Sequence, residues 1–167
     1  MNIPKFTDYG NKIQFFEISI QFFFFKMAEK TVCVTGASGF IAGHVIEQLI
    51  KAGYNVRGTV RSLSNEERIQ HLRSQFSGKL ELFEADLLKE GSFDDAVKGC
   101  SVVFHTASPF QLQVNDPQKD LVEPALKGTL NVLESAKKAG ITKVIVTSSI
   151  AAVVGENDVS IHEKCLE

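Results

Sequence analysis

The chain has 167 residues, of which 44% are hydrophobic and 23% charged, and its formal net charge is −2. This length fits one ordinary globular domain, and the near-neutral charge argues against a nucleic-acid-binding protein that depends on phosphate contacts. The cysteines Cys33, Cys100 and Cys165 are odd in number and form no C-x-x-C pair. Their pattern argues against a zinc site or a disulfide framework and favours a cytoplasmic protein.

Residues 1–27 differ in composition from the rest of the chain. Seven of the 13 phenylalanines fall within the first 25 residues. The apolar run Ile18–Phe25 is too short to span a bilayer, which needs about 20 apolar residues, and its flanks do not fit a signal peptide. We therefore expect a non-native or poorly ordered extension at 1–27, no membrane partner, and a folded region at 28–167.

From Thr31 onward, short β-branched runs alternate with amphipathic stretches. The predicted strands are Thr31–Thr35, Asn55–Val60, Leu80–Glu84, Val102–His105 and Lys143–Ser148, and the predicted helices are Phe40–Lys51, Glu66–Phe76, Ser92–Lys98 and Asp120–Ala139. Ser92 and Asp95 match a helix-capping pattern, and Gly53, Gly99 and Gly140 follow helix ends. This alternation predicts a Rossmann-type, doubly wound parallel α/β sheet with strand order 3-2-1-4-5.

The first predicted strand leads into the glycine-rich segment TGASGFIAG at Thr35–Gly43. Gly36 allows a sharp turn, Gly39 lets backbone N–H groups approach a pyrophosphate, and Ala42 permits close packing of helix on strand. The N-terminus of the following helix then faces the anion. Because the loop joins the first strand and first helix of a βαβ unit, it predicts a dinucleotide site rather than a plain turn.

The end of the second strand bears on the choice of cofactor. An NAD site favours an acid about 20 residues after the glycines, but this strand has none and is followed by Arg61. A guanidinium there can pair with a 2′-phosphate, and Arg68 can join it. The sequence therefore favours NADP(H), although Glu66 and Glu67 reduce the local positive charge.

Two further strand ends supply candidate cofactor contacts. Asp86 follows the third strand and can accept a hydrogen bond from the adenine amino group, with a helix cap or turn as the alternative. Thr106 and Ala107 follow the fourth strand, and we expect their backbone to run along the cofactor. We expect His105 to pack at the strand end rather than to carry protons.

Three segments together resemble one enzyme superfamily: VTGASGFIAGHVIEQLIKAGYNVRGTVR, ADLLKEGSFDDAVKGCSVVFHTASP and VTSSIAAV. They resemble the extended, NAD-dependent epimerase/dehydratase-like short-chain dehydrogenases/reductases. Within that superfamily the sequence is similar to the dihydroflavonol, cinnamoyl-CoA and aldehyde/ketone reductases. The resemblance runs from about Ala28 onward and matches roughly the N-terminal half of such an enzyme, with five of about seven strands.

The resemblance implies roles for individual residues. It places Arg61 on the family's NADP-selecting arginine with Arg68 nearby, Asp86 with Leu87 on the adenine contact, and Ser149 on the catalytic serine, with Ser148 as the alternative. The phosphate loop then comprises Gly36, Ser38, Gly39, Phe40 and Ile41. The implied reaction is hydride transfer between NADPH and a small-molecule carbonyl substrate, with a tyrosine as general acid and a lysine four residues later that lowers its pKa.

The tyrosine count bears on that reaction. The two tyrosines, Tyr9 and Tyr54, are followed at the fourth position by Ile13 and Gly58, so the sequence contains no Y-x-x-x-K. We therefore expect the cofactor part of a reductase, inactive by itself. Two alternatives stay open: a dinucleotide-binding regulatory module without chemistry, and part of a nucleotide-sugar epimerase or dehydratase.

The longest predicted helix, Asp120–Ala139, carries one more expectation. In the full-length form it is a candidate homodimer contact. In the 167-residue chain its apolar side is partly uncovered, which predicts poor solubility.

Overall fold

The computed structural model describes residues 31–109, 115–149 and 152. In chain order the elements are β1 (Thr31–Thr35), α1 (Phe40–Lys51), β2 (Asn55–Val60), α2 (Glu66–Gln75), β3 (Leu80–Glu84), α3 (Asp94–Val97), β4 (Val102–His105), a π-helical turn (Gln118–Val122), α4 (Glu123–Lys138) and β5 (Val144–Val146). The predicted extension at 1–27 and Cys165 lie outside the described residues.

The five strands form one parallel sheet in the order β3-β2-β1-β4-β5. This order confirms the predicted Rossmann-type α/β fold. In the central strand β1, Val34 pairs with Gly58 of β2 on one side and with Phe104 of β4 on the other. After β1 the chain runs outward to β3 and then returns to β4 on the opposite side of β1. The carboxyl ends of β1 and β4 therefore border the switch point at which this fold class binds its ligands.

The sheet buries a hydrophobic core on each face. Strand β1 contributes to both cores because its side chains alternate: Val32 and Val34 belong to the cluster with α1 and α2, whereas Cys33 belongs to the cluster with α3 and α4. Ile46 of α1 and Val132 of α4 are fully buried in these clusters. Each such aliphatic side chain contributes about 1.5–3 kcal/mol to folding, so both layers hold the strand ends in place.

The short helix α3 begins two residues later than predicted, and Ser92 does not cap it. Phe93 occupies the cap position, and no side chain caps the helix. The Ser92 hydroxyl instead donates to the Asp86 carbonyl oxygen at 2.7 Å and accepts from the Asp86 amide at 3.2 Å. The predicted capping pattern at Ser92 and Asp95 is therefore wrong, because a backbone partner outside the helix takes up the hydroxyl.

The helix predicted at Asp120–Ala139 also begins differently. Its first turn, Gln118–Val122, is π-helical, and the Glu123 amide donates to the Gln118 carbonyl oxygen. Regular α-helical bonding starts at α4, where Pro124 occupies the first turn. Proline has no N–H to donate to the preceding turn, so it favours a helix start at this position.

The cysteines within the described ranges, Cys33 and Cys100, are free and buried. Burial raises the pKa of both thiols, so both are neutral. They pack as small hydrophobic side chains, as expected for buried thiols. Among the residues that the structure describes, no helix combines the length and apolar composition that crossing a bilayer requires.

Candidate cofactor site

The glycine-rich loop turns sharply between β1 and α1. Gly36 has φ +69°, a left-handed conformation that favours glycine. The Gly39 amide donates to the Gly36 carbonyl oxygen at 2.9 Å, which closes the turn. The chain then enters α1 at Phe40, as the glycine spacing predicts.

Gly36 also lies against the end of β4. A Cβ atom at Gly36 would lie 3.0 Å from the Cβ and 3.1 Å from the Cα of Ala107. The site brings these two segments together although they are 71 positions apart in the sequence. Only glycine satisfies both the backbone angle and this close approach, so the phosphate loop and the segment after β4 have a fixed mutual position.

Strand β2 binds the loop through hydrogen bonds to Thr59. The Ala37 amide donates to the Thr59 carbonyl oxygen at 2.7 Å, and the Gly36 amide donates to the Thr59 hydroxyl at 3.2 Å. A Cβ at Gly58 would lie 2.8 Å from the Cβ of Ala37, so this position leaves no space for a side chain. Sequence reasoning missed Gly58 and Thr59. The available signal was Gly58 itself, because a glycine inside a strand pattern often marks a close contact.

The N-terminus of α1 has the properties of an anion site. Gly39 provides no side-chain cap, and the first turn contains no acidic residue. The first N–H groups of a helix lack intrahelical partners and carry partial positive charge. The side chains of Phe40 and Ile41 are 84% and 56% exposed, and Ser38 is exposed as well. A ligand bound at this turn would therefore meet free N–H groups beside apolar side chains.

The Thr35 hydroxyl joins the carboxyl ends of β1 and β4. It accepts from the Thr106 amide at 3.2 Å and from the Ala107 amide at 3.1 Å. It lies 2.9 Å from Nδ1 of His105. The Thr106 hydroxyl in turn donates to the Thr35 carbonyl oxygen. Sequence reasoning named Thr106 and Ala107 but missed Thr35, which holds both of them.

This network assigns the protonation state of His105. Because both lone pairs of the Thr35 hydroxyl are engaged by amides, its hydrogen is left for Nδ1 of His105. Nδ1 is then an acceptor, and Nε2 carries the proton. Burial lowers the pKa of His105, which agrees with a neutral ring. His105 is buried, as expected for a packed residue at a strand end.

Arg61 and Arg68 lie near the carboxyl end of β2. Arg61 directly follows β2, Arg68 lies in the first turn of α2, and both are exposed. Neither forms an ion pair with a described residue. Glu66 is engaged by Arg73, with Oε1 2.6 Å from Nη1. The two predicted guanidinium groups thus remain available to an anion, and one of the two opposing acids has another partner.

The segment after β3 is held by a residue of α4. Asn131 donates from Nδ2 to the carbonyl oxygens of Leu87 at 3.2 Å and Lys89 at 2.7 Å, and its Oδ1 accepts from the Gly91 amide at 3.0 Å. A Cβ at Gly128 would lie 2.9 Å from the Cβ of Leu87, so this helix position allows close packing. These contacts fix the segment that carries the predicted adenine contacts.

Asp86 forms the turn that was the alternative to an adenine contact. Its Oδ1 accepts from the Leu88 amide at 2.8 Å, which is the predicted turn. A carboxylate has lone pairs beyond this one bond, so the turn leaves it able to accept from an adenine amino group. Leu87 is half-buried beside it.

Ser149 and Ser148 follow β5, and both are exposed. β5 pairs with β4, and the Thr147 amide extends the pairing by donating to the His105 carbonyl oxygen at 3.0 Å. The two serines thus lie at the same carboxyl edge of the sheet as Thr106. This position suits the predicted catalytic serine and leaves Ser148 as its alternative.

Tyr54 does not belong to the site. It precedes β2 at the amino edge of the sheet and is buried among the α1 and α2 core residues. Burial raises the pKa of its hydroxyl, whereas a general acid for hydride transfer needs a lowered pKa. Within the described ranges, no group of three or more histidine, cysteine or acidic side chains is placed to hold a metal ion.

The sequence matches the 3-beta hydroxysteroid dehydrogenase/isomerase family over residues 33–165. A cinnamoyl-CoA reductase of Medicago truncatula is 54% identical over 125 residues, which cover 73% of this chain and 38% of the relative. A dihydroflavonol 4-reductase of Dianthus caryophyllus is 47% identical over 122 residues, which cover 72% of this chain and 34% of the relative. The chain therefore spans less than two fifths of each relative.

The fold also matches solved reductases. The structure of Gre2 from Candida albicans in complex with NADPH has a TM-score of 0.66 at 41% identity; the match covers 74% of this chain and 38% of that chain. These findings confirm the resemblance to the dihydroflavonol and cinnamoyl-CoA reductases. The family match extends over most of the sequence, from β1 beyond Ser149, and the chain belongs to the 3-beta hydroxysteroid dehydrogenase/isomerase family.

Proposed function

We propose that this chain binds NADP(H) and forms the cofactor part of an oxidoreductase that reduces an aldehyde or ketone to an alcohol. One observation carries the proposal: the uncapped N-terminus of α1 opens beside Ala107 at the switch point between β1 and β4. Relatives named as reductases, and a structural neighbour solved with NADPH, support it.

The residues present fit the cofactor. The backbone of Ser38, Phe40 and Ile41 offers N–H groups to the pyrophosphate, and Gly39, whose own amide bonds to the Gly36 carbonyl oxygen, lets the anion approach. A Cβ at Gly39 would lie 3.2 Å from the Gly36 carbonyl oxygen, so a side chain there would crowd the turn. Ile41 provides an exposed apolar contact at the same turn.

Arg61 and Arg68, near the carboxyl end of β2, would hold the 2′-phosphate, and Asp86 with Leu87, after β3, would hold adenine. Thr106 and Ala107, after β4, would line the nicotinamide half. This arrangement follows the strand order of the sheet.

When bound, NADPH supplies the hydride. Ser149 donates a hydrogen bond that orients the carbonyl oxygen of the substrate, and the hydroxyl stabilises the negative charge that develops there. The proton donor expected from the family pattern, a tyrosine followed by lysine four residues later, does not occur in the 167 residues. The proposed reduction thus belongs to a catalytic unit that supplies this pair.

The lack of a Y-x-x-x-K pattern within the 167 residues also fits a second candidate, a module that binds the dinucleotide without chemistry. The epimerase or dehydratase alternative needs the same tyrosine–lysine pair. Sequencing the transcript beyond the codon for Glu167 separates the candidates. Continuation into Y-x-x-x-K supports the reductase, whereas an in-frame stop supports the binding module.

Two further proposals concern the surroundings of the chain. We place it in the cytoplasm, because two free, buried cysteines suit a reducing compartment. A full-length form would dimerise through α4, whose exposed leucines, Leu126, Leu130 and Leu133, form one side of the helix.

Titration of the purified chain with NADPH and NADH tests the proposed function. We expect NADPH to bind at least about tenfold more tightly, since a charge-assisted hydrogen bond contributes about 1.5–3 kcal/mol. Arg61→Ala should remove this preference and leave NADH affinity unchanged. Lys51→Ala is the matched control, because it removes one positive charge at the far end of α1, where Lys51 pairs with Glu47, and it should keep the preference. Tighter binding of NADH, or an unchanged preference in Arg61→Ala, would contradict the proposal.

A further inference from the structure

We propose that His105 is a positioning residue that acts through Thr35 to fix the backbone of Thr106 and Ala107 beneath the nicotinamide half of the cofactor. The inference rests on the proposed function, because it concerns the same site. It assigns a role to a histidine that carries no proton in the reaction.

Three neighbours of the Thr35 hydroxyl determine the direction of its hydrogen. A hydroxyl has one hydrogen and two lone pairs. The amides of Thr106 and Ala107 lie 3.2 Å and 3.1 Å from its oxygen, and both can only donate. Both lone pairs face them only when the hydrogen points elsewhere. Nδ1 of His105, at 2.9 Å, provides the acceptor that holds it there.

The amides of Thr106 and Ala107 hold the segment that follows β4. They belong to the first residues after β4, where strand pairing ends and backbone groups need other partners. Ala107 also lies against Gly36, with 3.0 Å between its Cβ and a Cβ built there. A displaced Ala107 would therefore either enter the phosphate loop or withdraw from it. The Thr35 hydroxyl holds both amides of this segment, beside the bond from the Thr106 hydroxyl to the Thr35 carbonyl oxygen.

Histidine suits position 105 because its neutral ring offers a buried hydrogen-bond acceptor. Thr35 is fully buried and His105 is 3% exposed, so water is a poor substitute for the acceptor. Burial lowers the pKa of His105 and so favours the neutral ring, and in that ring the hydrogen of the Thr35 hydroxyl selects the tautomer with Nδ1 unprotonated. An aliphatic residue would leave the hydroxyl hydrogen without a partner. The hydroxyl would then rotate and lose one of its amides.

Two ligands separate positioning from general stability. NADPH extends across both halves of the site, whereas adenosine 2′,5′-bisphosphate stops at the first phosphate and lacks the nicotinamide half. Both are titrated into the wild-type chain and into two pairs of variants. Thr35→Val and His105→Leu remove the hydroxyl and the acceptor. Thr35→Ser and His105→Asn retain a hydroxyl and an acceptor at similar places.

We expect Thr35→Val and His105→Leu to bind NADPH about tenfold more weakly, since re-forming the segment on binding costs the energy of unpaired buried amides. The bisphosphate affinity should stay within about twofold in all four variants, and the conservative pair should stay within about threefold for NADPH. Unchanged NADPH affinity in both disruptive variants would overturn the inference. Equal loss of both ligands, including loss through unfolding, would also overturn it. A wild-type chain that binds neither ligand would contradict the proposed function itself.

Discussion

The carboxyl end of β1 and the β5 side of the sheet differ in how completely their side chains are buried and bonded within the described residues. Around the carboxyl end of β1, the polar side chains of Thr35 and Thr59 are buried and hydrogen-bonded, and glycines remove the space between segments. On the β5 side, Leu126 and Leu130 of α4 are 58% and 50% exposed, and Val146 is 48% exposed.

The cofactor site is therefore built by β1 to β4 and the segments after them, whereas α4 presents an exposed apolar surface. The phosphate loop depends on contacts that all lie within residues 31–109. The apolar face of α4, defined here as Leu126, Leu130 and Leu133, buries little surface against described residues. Changes in the first region should therefore alter cofactor binding and stability together, and changes in the second should alter association.

Gly36→Ala should give the largest effect. A non-glycine residue at φ +69° costs about 1–3 kcal/mol of stability. The methyl group would also press against Ala107, and such overpacking costs about 1–3 kcal/mol more. Urea unfolding and NADPH titration measure both consequences, and we expect binding to be lost.

Gly140→Ala is the matched control. Gly140 has a similar φ of +71°, but nothing lies within 4 Å of a Cβ built there. It should cost only the backbone strain and leave NADPH affinity unchanged. Equal destabilisation by the two variants, with binding intact in both, would show that the contact between Gly36 and Ala107 is unimportant.

The pattern of the sequence predicted the fold well for a physical reason. Each element buries its own apolar side, so the period of the apolar residues marks strands and helices locally, and α1 lies at Phe40–Lys51 as predicted. The errors arose where a local pattern had a competing partner. Ser92 satisfies a capping motif, but its hydroxyl bonds to the backbone of Asp86. The π-helical turn before Pro124 likewise depends on how the helix starts, which apolar spacing does not encode.

The candidate site was predictable only in part. Gly36 of the phosphate loop could be recognised in the sequence, because a turn with positive φ favours glycine. Thr35 and Asn131 gave no comparable signal. Their partners lie about 40 to 70 positions away in the sequence, at Gly91 and Ala107. Such contacts follow from strand order and register, which become known only with the structure.

The pH dependence of stability should give an intermediate effect. Burial lowers the pKa of His105 in the folded protein, so at mildly acidic pH the unfolded chain binds this proton more readily. Stability is then full above the unfolded pKa of about 6.5 and falls as the pH decreases through it, by no more than about 1.4 kcal/mol per pH unit. Thermal melts of the wild type and of His105→Asn at about pH 7.5 and 5.5 measure the difference. If the melting temperature of the wild type changes no more between these pH values than that of the variant, His105 does not have this role.

Substitutions on the apolar face of α4 should have the smallest effect on stability. Leu126→Lys combined with Leu130→Glu should change the free energy of unfolding by less than about 0.5 kcal/mol, because both side chains are exposed. NADPH affinity should stay unchanged, while sedimentation velocity should show less self-association. Val132→Ala, at a buried position of the same helix, is the contrast and should cost roughly 1–3 kcal/mol. A wild-type chain that is already a soluble monomer with a sharp cooperative melt would show that this face does not promote association.

The most direct test is an amide chemical-shift map of the isotope-labelled chain during titration with NADPH. The account predicts the largest shifts at Phe40 and Ile41, whose N–H groups begin α1, and at Ala107 in the adjacent segment after β4. The amides of Leu130 and Ile145 should stay unchanged. Largest shifts on the α4 and β5 side, or no shifts anywhere, would contradict it.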